Sequence, residues 1–275
     1  MIKIGDSNFE WEKKTYVMGI LNVTPDSFVD GGLFFETSKA VKHAKQMVLD
    51  GADIIDVGGE STKPGSELIS KEEELSRVQP VIEELIKGGI SIPISIDTNK
   101  PDVAEKCLEL GVRMVNDTTG LKNEEMIRVA AHYRVPVVIM HMKGMPKTMQ
   151  VNPTYNDVVK EIKEFMRQRI KAAKEAGIQE VIIDPGIGFG KTVEHNLQIL
   201  KRLHEFQELG CPILIGTSRK SFIGSLSGNL PVVERLEGTL ASVAVAIMNG
   251  ANIVRVHDVK ETKRTIQVVD AIKYI

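Results

Sequence analysis

Cysteine is nearly absent. Cys107 and Cys211 are the only two in 275 residues, far apart and outside any CxxC spacing. That excludes a disulfide-stapled scaffold and a thiolate metal knuckle, and packed thiols in a reducing compartment are expected. Long apolar runs are missing as well. None approaches the roughly 20 residues of a membrane span. Met1-Ile2-Lys3-Ile4-Gly5 has neither the apolar centre nor the cleavage pattern of a secretory leader. The expectation is a cytoplasmic chain with no membrane partner. An excess of one charge is lacking too, with 35 Lys+Arg against 37 Asp+Glu and a net charge of -2. No global basic field is available to hold nucleic acid, so any anion site must be local. What is present is an ordinary globular mixture, 42% hydrophobic and 26% charged, long enough to bury a sizeable core.

Short apolar runs alternate with amphipathic stretches along the whole chain. The opening residues predict a small hairpin, Ile2 to Ile4 against Phe9 to Trp11 with its turn at Asp6-Ser7-Asn8, placed to plug the bottom of the main fold. Strands are expected at Tyr16 to Asn22, Asp53 to Gly59, Ile92 to Asp97, Arg113 to Asp117, Pro136 to His141, Val181 to Asp184, Pro212 to Gly216 and Asn252 to His257. Helices are expected over Thr37 to Asp50, Lys71 to Lys87, Pro101 to Leu110, Asn123 to His132, Asp157 to Gly177, Glu194 to Leu209, Pro231 to Asn249 and Lys260 to Ile272. Pro80 sits inside the second and should kink or interrupt it. Eight strand-helix units with no linker or composition break predict parallel strands and a single (β/α)8 barrel domain over residues 1–275. A doubly wound open sheet is the alternative.

In such a barrel the site gathers at the C-terminal strand ends. Those ends carry Asn22, Gly59, Asp97, Asn116, His141, Asp184, Gly216, and Arg255 with His257. Two carboxylates, an amide and the nearby Lys220 suit a flat ligand rich in N–H donors and ring nitrogens. An Asp at a strand end can also be a plain helix cap. Arg255 and His257 fall on one strand face, and Ser218-Arg219-Lys220-Ser221 opens a helix whose free N–H groups attract anions. Gly186-Ile187-Gly188-Phe189-Gly190-Lys191 is neither a dinucleotide fingerprint, because Lys191 replaces the third glycine, nor a P-loop, whose first glycine would fall on Pro185. It reads instead as a glycine-rich loop holding Phe189 over the mouth.

Six ordered motifs resemble the dihydropteroate synthase family over nearly the whole chain. They are Gly19-Ile20-Leu21-Asn22-Val23-Thr24-Pro25-Asp26-Ser27-Phe28, Gly58-Gly59-Glu60-Ser61-Thr62-Lys63-Pro64-Gly65, Ile96-Asp97-Thr98, Asp184 to Lys191, Ser218-Arg219-Lys220-Ser221 and Arg255-Val256-His257-Asp258. The resemblance implies transfer of a pterin-methylene group from 6-hydroxymethyl-7,8-dihydropterin diphosphate to 4-aminobenzoate, with Mg2+ as cofactor and diphosphate released. It assigns the pterin to Asp97, Asn116, Asp184, Lys220, Phe189, Gly216 and Met142. Thr62, Arg255, His257 and Asn22 would take the diphosphate, Asn22 through the metal. Phe28, Pro64, Phe189, Lys220 and Ser221 would receive 4-aminobenzoate, and Asp97, Lys220 and Arg255 carry the catalysis.

Lys63 departs from the family's usual arginine, keeping the charge and losing the planar fork. A methyltetrahydrofolate corrinoid methyltransferase and a non-catalytic pterin-binding paralogue are the alternatives. The first needs no diphosphate site, and the second would lack the loops around Phe28 and Pro64. The family is typically dimeric through its outer helices, and the alanine-rich face of residues 239–247 is the candidate surface.

Overall fold

The computed structural model describes residues 2–24, 32–61 and 66–275, with the backbone alone for 32–36. The hairpin forms from β1 (Ile2–Ile4) and β2 (Ser7–Phe9), with Ile2 opposite Phe9. Its turn is Gly5-Asp6, not Asp6 to Asn8. Gly5 takes the left-handed conformation a two-residue hairpin turn demands, at φ 58. Ser7 and Asn8 are thereby freed to pair.

Eight strands come next in the chain, all parallel. They are β3 (Tyr16–Asn22), β4 (Ile54–Gly58), β5 (Ile94–Asp97), β6 (Met114–Asp117), β7 (Val137–Met140), β8 (Val181–Asp184), β9 (Leu214–Ile215) and β10 (Ile253–Val256). Their order is β8-β7-β6-β5-β4-β3-β10-β9, and a bridge between Ile183 and Ile213 joins the two edges into a barrel. The open doubly wound alternative is thereby excluded. The helices are α1 (Gly32–Leu49), α2 (Lys71–Lys87), α3 (Pro101–Leu110), α4 (Glu124–Tyr133), α5 (Val158–Glu175), α6 (Val193–Lys201), α7 (Ser221–Leu226), α8 (Leu236–Met248) and α9 (Val259–Lys273). Among the described residues no helix is long and apolar enough to cross a membrane.

Four helices differ from the sequence expectation. α1 begins at Gly32 and not at Thr37. α2 runs unbroken through Pro80, because Val78, Val81, Ile82 and Leu85 are all fully buried on its inner face. At up to ~1.5–3 kcal/mol per buried side chain, that outweighs the one lost backbone hydrogen bond. The segment expected as one helix to Leu209 ends at Lys201 and continues as a 3-10 turn over Leu203–Leu209. Leu203 and Phe206 are both buried there, and residues three apart eclipse on a 3-10 turn. The helix expected from Pro231 begins at Leu236, after a short 3-10 turn. The Arg235 guanidinium is drawn back to the carbonyls of Leu230 (2.9 Å) and Arg219 (3.0 Å) at that break.

The strand pleat sorts side chains into two sets. Val17, Leu21, Ile55, Val57, Ile96, Val115, Ile139, Ile183, Ile215 and Val254 face outward into the layer under the helices. Met18, Ile54, Met114, Val138, Ile182, Leu214 and Ile253 face inward, where Ile2, Ile4, Phe9 and Tyr16 close the bottom. The Phe9 and Tyr16 rings stand 4.6 Å apart in that plug. The hairpin therefore occupies the place expected of it.

Candidate active site

One pleat above the apolar plug, the inward positions change character. Two residues on from Met18, Ile54, Met114, Val138, Ile182, Leu214 and Ile253 stand Ile20, Asp56, Asn116, Met140, Asp184, Gly216 and Arg255, with Asp97 in register beside Asn116. A period of two gives each strand one floor residue and one site residue. All of these except Asp56 line a single cavity of ≈ 430 Å³ at the C-terminal mouth, together with Asn22, Phe189, Lys220, Ser221 and His257.

Arg255 organises the centre. Its Nε donates to Asp56 Oδ2 and its Nη2 to Asp97 Oδ2, both at 2.6 Å. Asn116 Nδ2 donates to the same Asp56 oxygen at 2.9 Å. Burial holds Asp97 well above the usual carboxylate range, against the pull of Arg255. Burial raises Asp184 as well, while its Oδ1 accepts from the Gly186 N–H at 2.7 Å. Lys220 is pushed down to about 8 by burial first and by the Arg255 charge second. Its ammonium stands 4.1 Å from the centre of the Phe189 ring.

The glycine-rich loop is built as a backbone-on-backbone contact. Gly186 and Gly190 have φ of 73 and 65, and a Cβ on either would lie 2.0 or 2.1 Å from the carbonyl oxygens of His141 or Lys143. Lys191 pins the loop from beneath. Its buried Nζ meets His141 Nδ1 at 3.0 Å, Phe189 O at 3.0 Å and His141 O at 3.3 Å. As an ammonium Lys191 only donates, so in that state His141 accepts at Nδ1 and is neutral. Burial, with Lys191 second, pushes His141 down to about 2, and burial lowers Lys191 itself to about 7.

Along the rim, Ser218 Oγ accepts from the His257 backbone N–H at 3.2 Å and lies 2.9 Å from Nδ1 of that ring. That contact orients the ring through Nδ1. Burial lowers His257 to about 4, so the ring is neutral near pH 7. Arg219 is engaged elsewhere, forked onto Asp258 at 2.9 and 2.5 Å.

Most of the residues expected at the mouth meet there: Asn22, Asp97, Asn116, Asp184, Phe189, Gly216, Lys220, Ser221, Arg255 and His257. His141 and Gly59 do not face it. Met142 packs in the wall with Phe189, and Met140 and Met149 of the same cluster reach the cavity in its place. Phe28, Thr62, Lys63 and Pro64 lie outside the described residues. Asp56 was missed by sequence reasoning. A lone acid inside Ile54-Ile55-Asp56-Val57 was the available signal, since a buried charge in an apolar run requires partners.

Among the described residues no cluster of three His, Cys, Asp or Glu could hold a metal ion. Asn22 offers one amide oxygen. A Cβ on Gly58 would lie 3.9 Å from it and 3.7 Å from Asp97 Oδ2. That donor set cannot cage a cation. It fits Mg2+, which keeps several waters and takes other ligands from substrate phosphates.

Comparison with known proteins agrees with this geometry. Residues 18–257 match the family model described as pterin binding enzyme. A dihydropteroate synthase of Clostridium beijerinckii is 50% identical over 275 residues, covering 98% of this chain and 99% of that one. The structure of dihydropteroate synthase from Clostridium difficile in the presence of pteroic acid superposes with a TM-score of 0.90 at 49% identity, covering 96% and 99% of the two chains. That of Yersinia pestis dihydropteroate synthase with a sulfonamide drug gives 0.90 at 42%, covering 95% of each. With family model, relatives and strand-end chemistry in agreement, the chain belongs to the pterin binding enzymes and, among them, to the dihydropteroate synthase family.

Proposed function

We propose that the chain condenses 6-hydroxymethyl-7,8-dihydropterin diphosphate with 4-aminobenzoate, giving 7,8-dihydropteroate and diphosphate, as one barrel domain over its whole length. The observation that carries this reading is the meeting of Asp97, Asn116, Asp184, Lys220 and Arg255 in one cavity. The carboxylates and amide receive the donor-rich edge of the pterin. Gly216 leaves the floor flat, since among the described residues a Cβ there would meet only Arg255 within 4 Å. Arg255 and the neutral ring of His257 receive the diphosphate, with Thr62.

The C–O bond to diphosphate breaks first, and its electron pair leaves with the diphosphate. Arg255 compensates the charge that builds on the leaving oxygen. Mg2+ held beside Asn22 would supply the same neutralisation from the phosphate side. The cationic pterin methylene left behind lies within reach of Asp97. The aniline nitrogen then forms the C–N bond and passes its extra proton to the departed diphosphate or to solvent. Lys220, Phe189, Ser221, Phe28 and Pro64 hold the aminobenzoate, with its carboxylate toward Ser221 at the start of α7. The donors on Arg255 and His257 count against a methyltetrahydrofolate methyltransferase, which has no diphosphate to bind.

A homodimer is part of the reading. Leu197, Leu226, Val245 and Met248 on α6, α7 and α8 are 41 to 57% exposed, an apolar face suited to a second copy. A cytoplasmic setting is supported by the two unpaired cysteines.

The test is diphosphate release on mixing the pterin diphosphate with 4-aminobenzoate. Release that needs both the chain and Mg2+ is expected, and its absence refutes the assignment. In single turnover, a rate of diphosphate release that climbs with 4-aminobenzoate concentration would refute the order of steps. Val245→Glu should give a monomer in sedimentation if the outer face pairs two copies.

A further inference from the structure

We infer that Asp56 is a positioning residue that fixes which way the Asn116 amide faces, and so makes the cavity floor a set of hydrogen-bond acceptors. The inference rests on the reading of this floor as the pterin-ring site. Asp56 is fully buried and lines no part of the cavity. One of its oxygens, Oδ2, accepts from both Arg255 Nε (2.6 Å) and Asn116 Nδ2 (2.9 Å), while Oδ1 has no partner among the described residues. It therefore touches no ligand and acts through two groups that do.

An amide has two faces of opposite character. A carboxylate already paired with a guanidinium can only accept, so the Asn116 NH2 turns toward Asp56. The Asn116 carbonyl oxygen is then the polar atom left for the cavity. Asp97 has spent Oδ2 on Arg255 and Asp184 has spent Oδ1 on the Gly186 N–H. Among the described residues each of the three thus keeps one acceptor unspent. A ligand edge with several N–H donors finds three oxygens and no competing donor from Asn116. Were the amide reversed, its NH2 would oppose the ligand's donors and its oxygen would oppose Asp56, two mismatches at once.

This arrangement needs an acceptor at position 56, and the charge is secondary. Asp56→Asn can place its amide oxygen where Oδ2 stands and keep both bonds. Asp56→Val, close in size, offers no acceptor and leaves no room for a water in its place. The experiment measures the dissociation constant of 6-hydroxymethylpterin, a pterin bearing no phosphate, for wild type, D56N and D56V, each checked for a native near-ultraviolet spectrum. D56V is expected to bind at least tenfold more weakly, and D56N within threefold of wild type. D56V binding as tightly as wild type overturns the inference, as does D56N weakened as far as D56V. Wild type failing to bind the pterin at all refutes the ring-site reading instead. Should D56V not fold, side-chain amide proton exchange of Asn116 decides the matter. Slow exchange is expected in both wild type and D56N, and fast exchange in either overturns the inference.

Discussion

Removal of the central guanidinium by Arg255→Met tests the core of the site. Arg255 spans two buried carboxylates, with 2.6 Å bonds to Asp56 and Asp97. Methionine fills much of the same volume and leaves those carboxylates facing each other without a cation. Breaking a buried ion pair by removing one partner costs ~3–5 kcal/mol, against a total stability of about 5–15 kcal/mol. The variant should fold at neutral pH with a visibly lower urea midpoint and an unchanged slope. The cost should also depend on pH, with a definite sign. Burial already raises Asp97 above its unfolded value, and Arg255 is the group that pulls it down. Without Arg255 it rises further, so the folded variant binds a proton that the unfolded chain releases. Stability then falls as pH rises through that window, and the deficit relative to wild type is larger at pH 8 than at pH 5.5. Diphosphate release should drop about 10²–10³-fold, the usual range for loss of one group that stabilises a developing anion. Arg255→Lys should recover part of the stability, since a point charge cannot fork to both acids. A midpoint shift below ~1 kcal/mol that is flat with pH would refute the account of Arg255 as the tie between the two buried acids.

Other consequences are as direct. Lys220 sits near 8, so it loses its charge above that pH, and kcat/KM should show an alkaline limb there; Lys220→Arg should move that limb beyond the measured range, and an unmoved limb would assign it elsewhere. Lys191 is lowered to about 7 from an unfolded value of 10.5, so the unfolded chain binds the extra proton between those values. This group therefore adds stability as pH rises across that window. Thermal midpoints of wild type and Lys191→Met, compared between pH 7 and 10, should rise more in wild type, with Lys220 supplying the smaller rise left in the variant. Lys191→Met should also raise KM for both substrates, because Phe189 O and His141 O lose the ammonium that ties the loop down. Chelation of divalent cations should abolish diphosphate release, and Asn22→Ala should raise the Mg2+ concentration for half-maximal rate at least tenfold; an unshifted requirement would remove Asn22 from the metal site.

How much of the site could be read from the chain depended on the range of the physics involved. Asp97, Asn116, Asp184 and Arg255 were legible because each stands at the last or next-to-last place of a short apolar strand, and a parallel barrel sends all such ends to one mouth. The same rule misplaced His141, which ends its strand but turns beneath the glycine loop to Lys191. Met142 was chosen from a methionine-rich loop, yet which of its methionines reaches the cavity is a matter of packing, and Met140 and Met149 do so. Helix boundaries failed at Arg202 and Arg235, where an arginine side chain found partners beyond its own helix. Asp56 was hidden because its strand reads as uniformly buried.

The sequence by itself determined the repeating strand-helix unit, the parallel barrel that repetition forces, the outward and inward faces of each strand, and the motifs that mark the family. Those features arise from local periodicity and from residue chemistry at fixed spacing. Only the tertiary structure decided which polar groups pair and which stay free for a ligand. Asp56 and Asn116 are 60 residues apart, Asp97 and Arg255 are 158, and Asp56 and Arg255 are 199. Barrel closure brings them within bonding distance on one pleat. Burial there removes the water that would otherwise make each pairing optional.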